Sequence, residues 1–392
     1  MHPKVYFAVE WEVYWGFVPA GEQDPLLAFA ALLPPARSSG VLADPSGREA
    51  CAIYQSVEEV LRQDPDVAEH PIWYEGKRWP GNVDPRRRWT LATNLRLHTT
   101  RLPGDGRSLH WCLLQIASPR LAVDQPNSYR AVDRAVRLLK TNFRLYLDHS
   151  TSLRVHIGHW GRDLPLSVTA TKELGTLLLL AESRLDDLYR ATLRYAVPEI
   201  PAGSYRLAKQ HRSLRECSLL ALQSHRDMRR WDRRLHDYDS WDNSQGNLLD
   251  LCLGLTCPLP GIAVDYNFAG LCATAWDRTS DEATTTLEFR GMEATFSPHT
   301  VVHWVKVCVR LVGWAIESGI LAFRQVLGRL FEEPESYSVL QLLADIGCSA
   351  DTVAHFKRKF RADMGCCARV LSPLGYIVPA QCWHPEHNEY AA

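Results

Sequence analysis

The chain holds 392 residues, 46% hydrophobic and 23% charged, with a formal net charge of −1. Those values describe a globular protein long enough to bury a sizeable core, as one large domain or two. They supply no bulk attraction to nucleic acid or to an anionic membrane, so neither is expected as a partner.

The 11 cysteines are an odd number without a repeating spacing, and Met1-His2-Pro3-Lys4 lacks the apolar core of a signal peptide. Reduced thiols in a cytoplasmic setting are the expectation. The longest apolar run, residues 26 to 33, is too short to span a bilayer. The 13 tryptophans are assigned mainly to the core.

Residues 5 to 15 read as the first strand. Alternation puts Val9, Trp11 and Val13 on one face and Ala8, Glu10 and Glu12 on the other. Two neighbouring carboxylates repel unless a cation or guanidinium stands between them; an edge decorated against aggregation is the plainer alternative. Residues 16 to 48 are rich in Pro, Gly and Ala and begin a lid-like insertion reaching residue 88. Within it, residues 49 to 63 have helical spacing and Trp73-Tyr74 suits a short strand. Arg86-Arg87-Arg88 reads as a solvated charge run.

Residues 89 to 97 and 110 to 117 are strand candidates, the second ended by Ser118-Pro119. Ser128 is the expected cap of a helix over 129 to 147. A strand over 152 to 158 carries Arg154 and His156, and the strongest helical pattern covers 169 to 194. A charged helix is expected over 219 to 235, a break over 242 to 262 and a strand over 263 to 268.

Residues 286 to 295 form a further strand candidate, with Glu288 and Arg290 on one face and Leu287 and Phe289 on the other. A carboxylate can hold a hard cation and a guanidinium can grip phosphate oxygens, which suits a phosphate site. A solvent-facing strand with a surface ion pair is the alternative. Ser297 and Pro298 open a helix over 299 to 317, with Val301, Val302, Val305, Val309 and Val312 as its apolar stripe. Helices are expected over 321 to 331 and 338 to 361. Cys366, Cys367, Cys382, His384 and His387 match no zinc-ligand spacing, and residues 364 to 392 read as an irregular tail.

Val9-Glu10-Trp11-Glu12 together with Leu287-Glu288-Phe289-Arg290-Gly291-Met292-Glu293 resembles the fungal amidoligase family, within the glutamine synthetase and glutamate–cysteine ligase superfamily. The resemblance continues in order through residues 89 to 97, 114 to 119, 152 to 158, 266 to 271 and 340 to 357, so it covers most of residues 1 to 363. It implies an α+β fold: a curved, mostly antiparallel sheet with helices packed outside. It implies an ATP-dependent ligase, with Mg²⁺ or Mn²⁺, joining a small-molecule acid to an amine through an acyl phosphate. Fungal secondary metabolism is the implied setting.

On that resemblance Glu10, Glu12 and Glu288 take metal roles, supported by His156. Arg290 and Arg154 meet phosphate or an acyl oxyanion, Asn94 and Gln115 line the nucleotide site, and Glu293 orients the amine. All are expected to line one concave face. The chain departs from the family pattern at four positions. Asn94 stands for an Asp, Gln115 for a Glu, Arg154 for a His, and Met292 for the His after Glu-Phe-Arg. Losing two negative charges and adding a positive one weakens a second cation site. A degenerate ligase that binds nucleotide or a metabolite without turnover is therefore the alternative.

Overall fold

The computed structural model describes residues 5–19, 37–39, 48–74, 87–101, 108–143, 145–146, 151–159, 168–189, 211–212, 263–264, 266–268, 286–292, 294–332 and 336–366. In chain order come β1 (Val5–Pro19), β2 (Arg37–Ser39), α1 (Arg48–Leu61), α2 (Pro65–Ala68), β3 (Ile72–Tyr74), β4 (Trp89–Arg101), β5 (Ser108–Ala117), β6 (Leu121–Ala122), α3 (Pro126–Asn142) and β7 (Leu145–Tyr146). There follow β8 (Leu153–His159), α4 (Val168–Tyr189), β9 (His211–Arg212), β10 (Ala263–Val264), β11 (Tyr266–Asn267), β12 (Thr286–Phe289), α5 (Pro298–Glu317), α6 (Ile320–Glu332), α7 (Val339–Asp345) and α8 (Ala350–Cys366). The fold is α+β, and its strands pair in both orientations. The expected helix over 219 to 235, the break over 242 to 262 and the tail from 367 onward lie outside the described residues.

The chain divides into two compact units. One takes Ala8–Leu153, Glu293–His303 and Ala368–Ala392. Its strands run in the order β1-β5-β4-β3, with β1, β5 and β4 antiparallel and β3 parallel to β4. Alternation explains the core: Val9, Trp11 and Val13 are all buried while Glu10 and Glu12 are half-exposed. Trp11 stacks on Trp89 with ring centroids 6.4 Å apart, and Tyr54 of α1 stacks on Tyr74 of β3 at 5.2 Å. Arg88 leaves the expected charge run to place its guanidinium 4.6 Å from the centre of the Trp73 ring.

Helix α3 begins earlier than its capping pattern suggests. Pro126 opens it after Gln125, which makes no side-chain cap, and Ser128 is buried inside the first turn. Proline's fixed φ suits the first helical position, so it outranks a serine two residues on. The helix stops at Asn142, and Leu145–Tyr146 pairs with β1 instead of extending it.

The other unit takes Met1–Phe7, Arg154–Met292 and Trp304–Cys367, with strand order β11-β12-β8 followed by the start of β1. The expected strand over 286 to 295 is only four residues long, and all four are buried. Phe289 is held edge-on by Tyr266 at 5.7 Å and by Trp304 at 6.4 Å. Helix α4 buries Leu174, Leu177, Leu178, Ala181, Leu185 and Leu188, and α6 and α7 pack on it.

Ser297 caps α5 as expected, its Oγ accepting from Thr300 N at 3.3 Å. Of the expected valine stripe, Val301, Val305 and Val312 are buried, and Trp304, Val307, Cys308 and Leu311 widen the buried face while Val302 and Val309 stay partly exposed. A Trp and a Leu bury more apolar area than the two valines left at the margin. The single helix expected over 338 to 361 is two, since Gly347 at φ +81° breaks it between α7 and α8.

Candidate functional site

In the unit that contains β8 and β12, the two strands run antiparallel with Glu288 directly across from His156. Arg290 lies two residues beyond Glu288 and Arg154 two before His156, so alternation carries both toward that face. The Glu288 side chain is 8% exposed, while those of Arg154 and Arg290 keep 26% and 24%. Glu288 Oε2 accepts from Arg290 Nη2 at 2.6 Å. Arg290 Nε lies 2.6 Å from Oε1, and Arg154 Nε lies 3.8 Å from the same oxygen. The Arg290 Nε–H is misdirected for a hydrogen bond despite that distance, so the ion pair is anchored through Nη2.

A buried carboxylate is tolerated only when paired, and stripping one partner from such a pair costs about 3–5 kcal/mol. The pairing explains why this strand is not the surface feature that a Glu-x-Arg alternation allows. It also affects metal binding. At an effective dielectric of about 20, a dication 4 Å from a guanidinium meets ~8 kcal/mol of repulsion, twice the figure for two unit charges. Glu288 is thus dressed for arginine on both oxygens.

The unit that contains most of β1 holds the other acids. Glu12 is paired across the ladder with Gln115. Gln115 reaches diagonally, its Nε2 donating to Glu10 Oε1 at 2.7 Å. Ser152 Oγ donates to Glu12 Oε2 at 2.7 Å, and Glu12 N donates to Ser152 O at 2.9 Å. Each of the two carboxylates thus accepts from a neutral side-chain donor, and carboxylate oxygens of this kind are ligands for hard cations.

The sequence-predicted residues therefore fall into two groups. Glu288, Arg290, Arg154 and His156 come together in one unit; Glu10, Glu12 and Gln115 come together in the other. Asn94 occupies the register position opposite Leu113, beside an irregularity in the β4–β5 ladder. Its side chain and the whole of Glu293 lie outside the described residues. Met292 is 3% exposed, a core residue. Among the described residues no group of three or more His, Cys, Asp or Glu is set to hold a metal ion. No helix among them is long and apolar enough to cross a membrane.

Sequence reasoning missed two contributors. Ser152 shares the alternation face of Arg154 and His156, a signal available in the sequence, and it fixes Glu12. Tyr6 is fully buried beneath Gly158, whose missing Cβ leaves the space that the Tyr6 ring and hydroxyl fill. Compared with known proteins, the chain matches no family model and no curated sequence.

Proposed function

We propose that the chain is an ATP-dependent ligase joining a carboxylate to an amine, on a glutamine-synthetase-like sheet. The observation that carries this is the buried Glu288 gripped by Arg290 and Arg154 and set across from His156. Such a cluster presents fixed positive charge, which phosphoryl transfer exploits.

In the first step an oxygen of the acid attacks the terminal phosphorus of ATP, giving an acyl phosphate and ADP. In the second the amine attacks the acyl carbon; phosphate leaves and the amine gives up a proton. Arg290 and Arg154 steady the transferring group. His156 would take the proton, with Glu293 orienting the amine. Glu10 and Glu12 would hold Mg²⁺ or Mn²⁺, which supplies charge neutralisation on the phosphates. Gln115 keeps Glu10 oriented, and Asn94 belongs to the nucleotide site. The substrates are small-molecule metabolites and the setting is cytoplasmic.

Purified protein supplied with ATP, a panel of acids and a panel of amines should release phosphate only when metal, acid and amine are all present. A folded protein with no metal-dependent phosphate release from any combination would end this proposal. A second reading, nucleotide or metabolite binding without turnover, draws on the engagement of both Glu288 oxygens by arginine. It calls for Arg154→His with Asn94→Asp and Gln115→Glu to raise divalent-cation affinity in a calorimetric titration.

A further inference from the structure

On the β8–β12 face one buried carboxylate has two arginines beside it, and the three side chains differ in exposure. The carboxylate side chain is 8% exposed and the two guanidinium-bearing chains about three times as much, at 24% and 26%. Arg290 contacts Glu288 through Nη2 and Nε and has no other partner among the described residues. A guanidinium has five N–H donors, and its outer edge remains available to a ligand. A planar fork with one edge fixed by a buried carboxylate is preorganised for a second oxyanion on the other edge.

We infer that Glu288 is a positioning residue for Arg290, and that Arg290, with Arg154 beside it, binds a phosphoryl group of the ligand directly, without a divalent cation at Glu288. This rests on the ligase proposal for the identity of the oxyanion as a phosphoryl group, though not for the binding itself. It makes the arginine pair the local stand-in for a metal. A cation on Glu288 would have to displace Arg290 from both carboxylate oxygens and then face two guanidiniums.

The test uses the full chain and inorganic pyrophosphate as probe, titrated by calorimetry once in EDTA and once in Mg²⁺. Pyrophosphate is expected to bind in EDTA, with Arg290→Ala weakening it at least tenfold in both buffers. Glu288→Gln should weaken it by a similar factor in both buffers, because it loosens the arginine rather than removing a metal ligand. A purely structural role for Glu288 would change the melting temperature and leave the affinity of the folded fraction alone. If Arg290→Ala does not fold, Arg290→Lys decides, since lysine keeps the charge and loses the fork. Binding confined to Mg²⁺, absence of pyrophosphate binding, or unchanged affinity in the folded Arg290 variant would each overturn the inference. Amine-dependent phosphate release from ATP with pyrophosphate bound only in Mg²⁺ would sink the inference and keep the ligase. Pyrophosphate bound in EDTA without such release would do the reverse.

Discussion

At Arg154 the side chain decides between two chemistries. A histidine there would offer a neutral metal ligand; the arginine is a permanent cation whose Nε lies 3.8 Å from the Glu288 carboxylate. Removing it as Arg154→Ala should weaken nucleotide affinity about tenfold, because a charge-assisted contact contributes roughly 1.5–3 kcal/mol. Calorimetry with ATP and Mg²⁺ checks this, and unchanged affinity would show that Arg154 takes no part in holding the nucleotide. The acids were legible at this scale because alternation alone assigns Glu10, Glu12 and Glu288 to strand faces. What alternation does not reveal is the partner. Gln115 bonds Glu10 on a diagonal rather than the Glu12 directly opposite, and that choice depends on side-chain reach.

Among the elements, the long periodic helices were the easiest to read. Their apolar stripes are wide enough to survive competition, whereas the end signals compete with one another. Pro126 displaced Ser128 as the start of α3, and α5 buries Trp304 and Leu311 beside three of its five expected valines. The α7–α8 break was hidden because Gly347 looks like a tolerated helical glycine until its φ of +81° is known. The Arg310 side chain closes over that turn, with Nη2 3.0 Å from where a Cβ would stand, and its Nε donates to Ile346 O. Gly347→Ala should therefore destabilise the protein by about 1–2 kcal/mol from backbone strain alone, more if Arg310 is displaced. Urea midpoints of the parent and the variant provide the measurement, and equal midpoints would show that the turn relaxes freely.

At the scale of the whole molecule, His70 and Glu173 titrate in opposing senses. Burial holds His70 below its ordinary value of 6.5, only partly offset by Glu69 and by a hydrogen bond with the Arg87 backbone. Its contribution to stability is full above pH 6.5 and is lost as pH falls from there through the folded value, because the unfolded chain takes the proton first. Glu173 on α4 is raised above its ordinary 4.5 by burial. Its contribution is full below pH 4.5 and is lost as pH rises through the folded value, where the unfolded chain ionises more readily. Glu173→Gln should accordingly raise the urea midpoint at pH 7, with the gain shrinking toward pH 4. A gain independent of pH would assign the effect to packing instead. The α+β class was readable at this scale because periods of 2 and 3.6 separate cleanly along the chain. The division into two compact units was not, since β1 and α5 each run through both and no linker composition marks the boundary.

Tyr6 and Gly158 are about 150 residues apart in sequence, so the first strand to be synthesised gains its β8 neighbour only after a long wait, the kind of distant pairing that slows folding. A strand left waiting is exposed to misalignment, because a slip of one residue exchanges its two faces. A ring on one strand that fits only where the other has no side chain works as a key in a notch. Shifted by one residue, the ring points away; shifted by two, it meets His156 in place of the glycine. The pair thus favours one alignment of the late-closing ladder over its slipped neighbours, a steric device that needs no ligand.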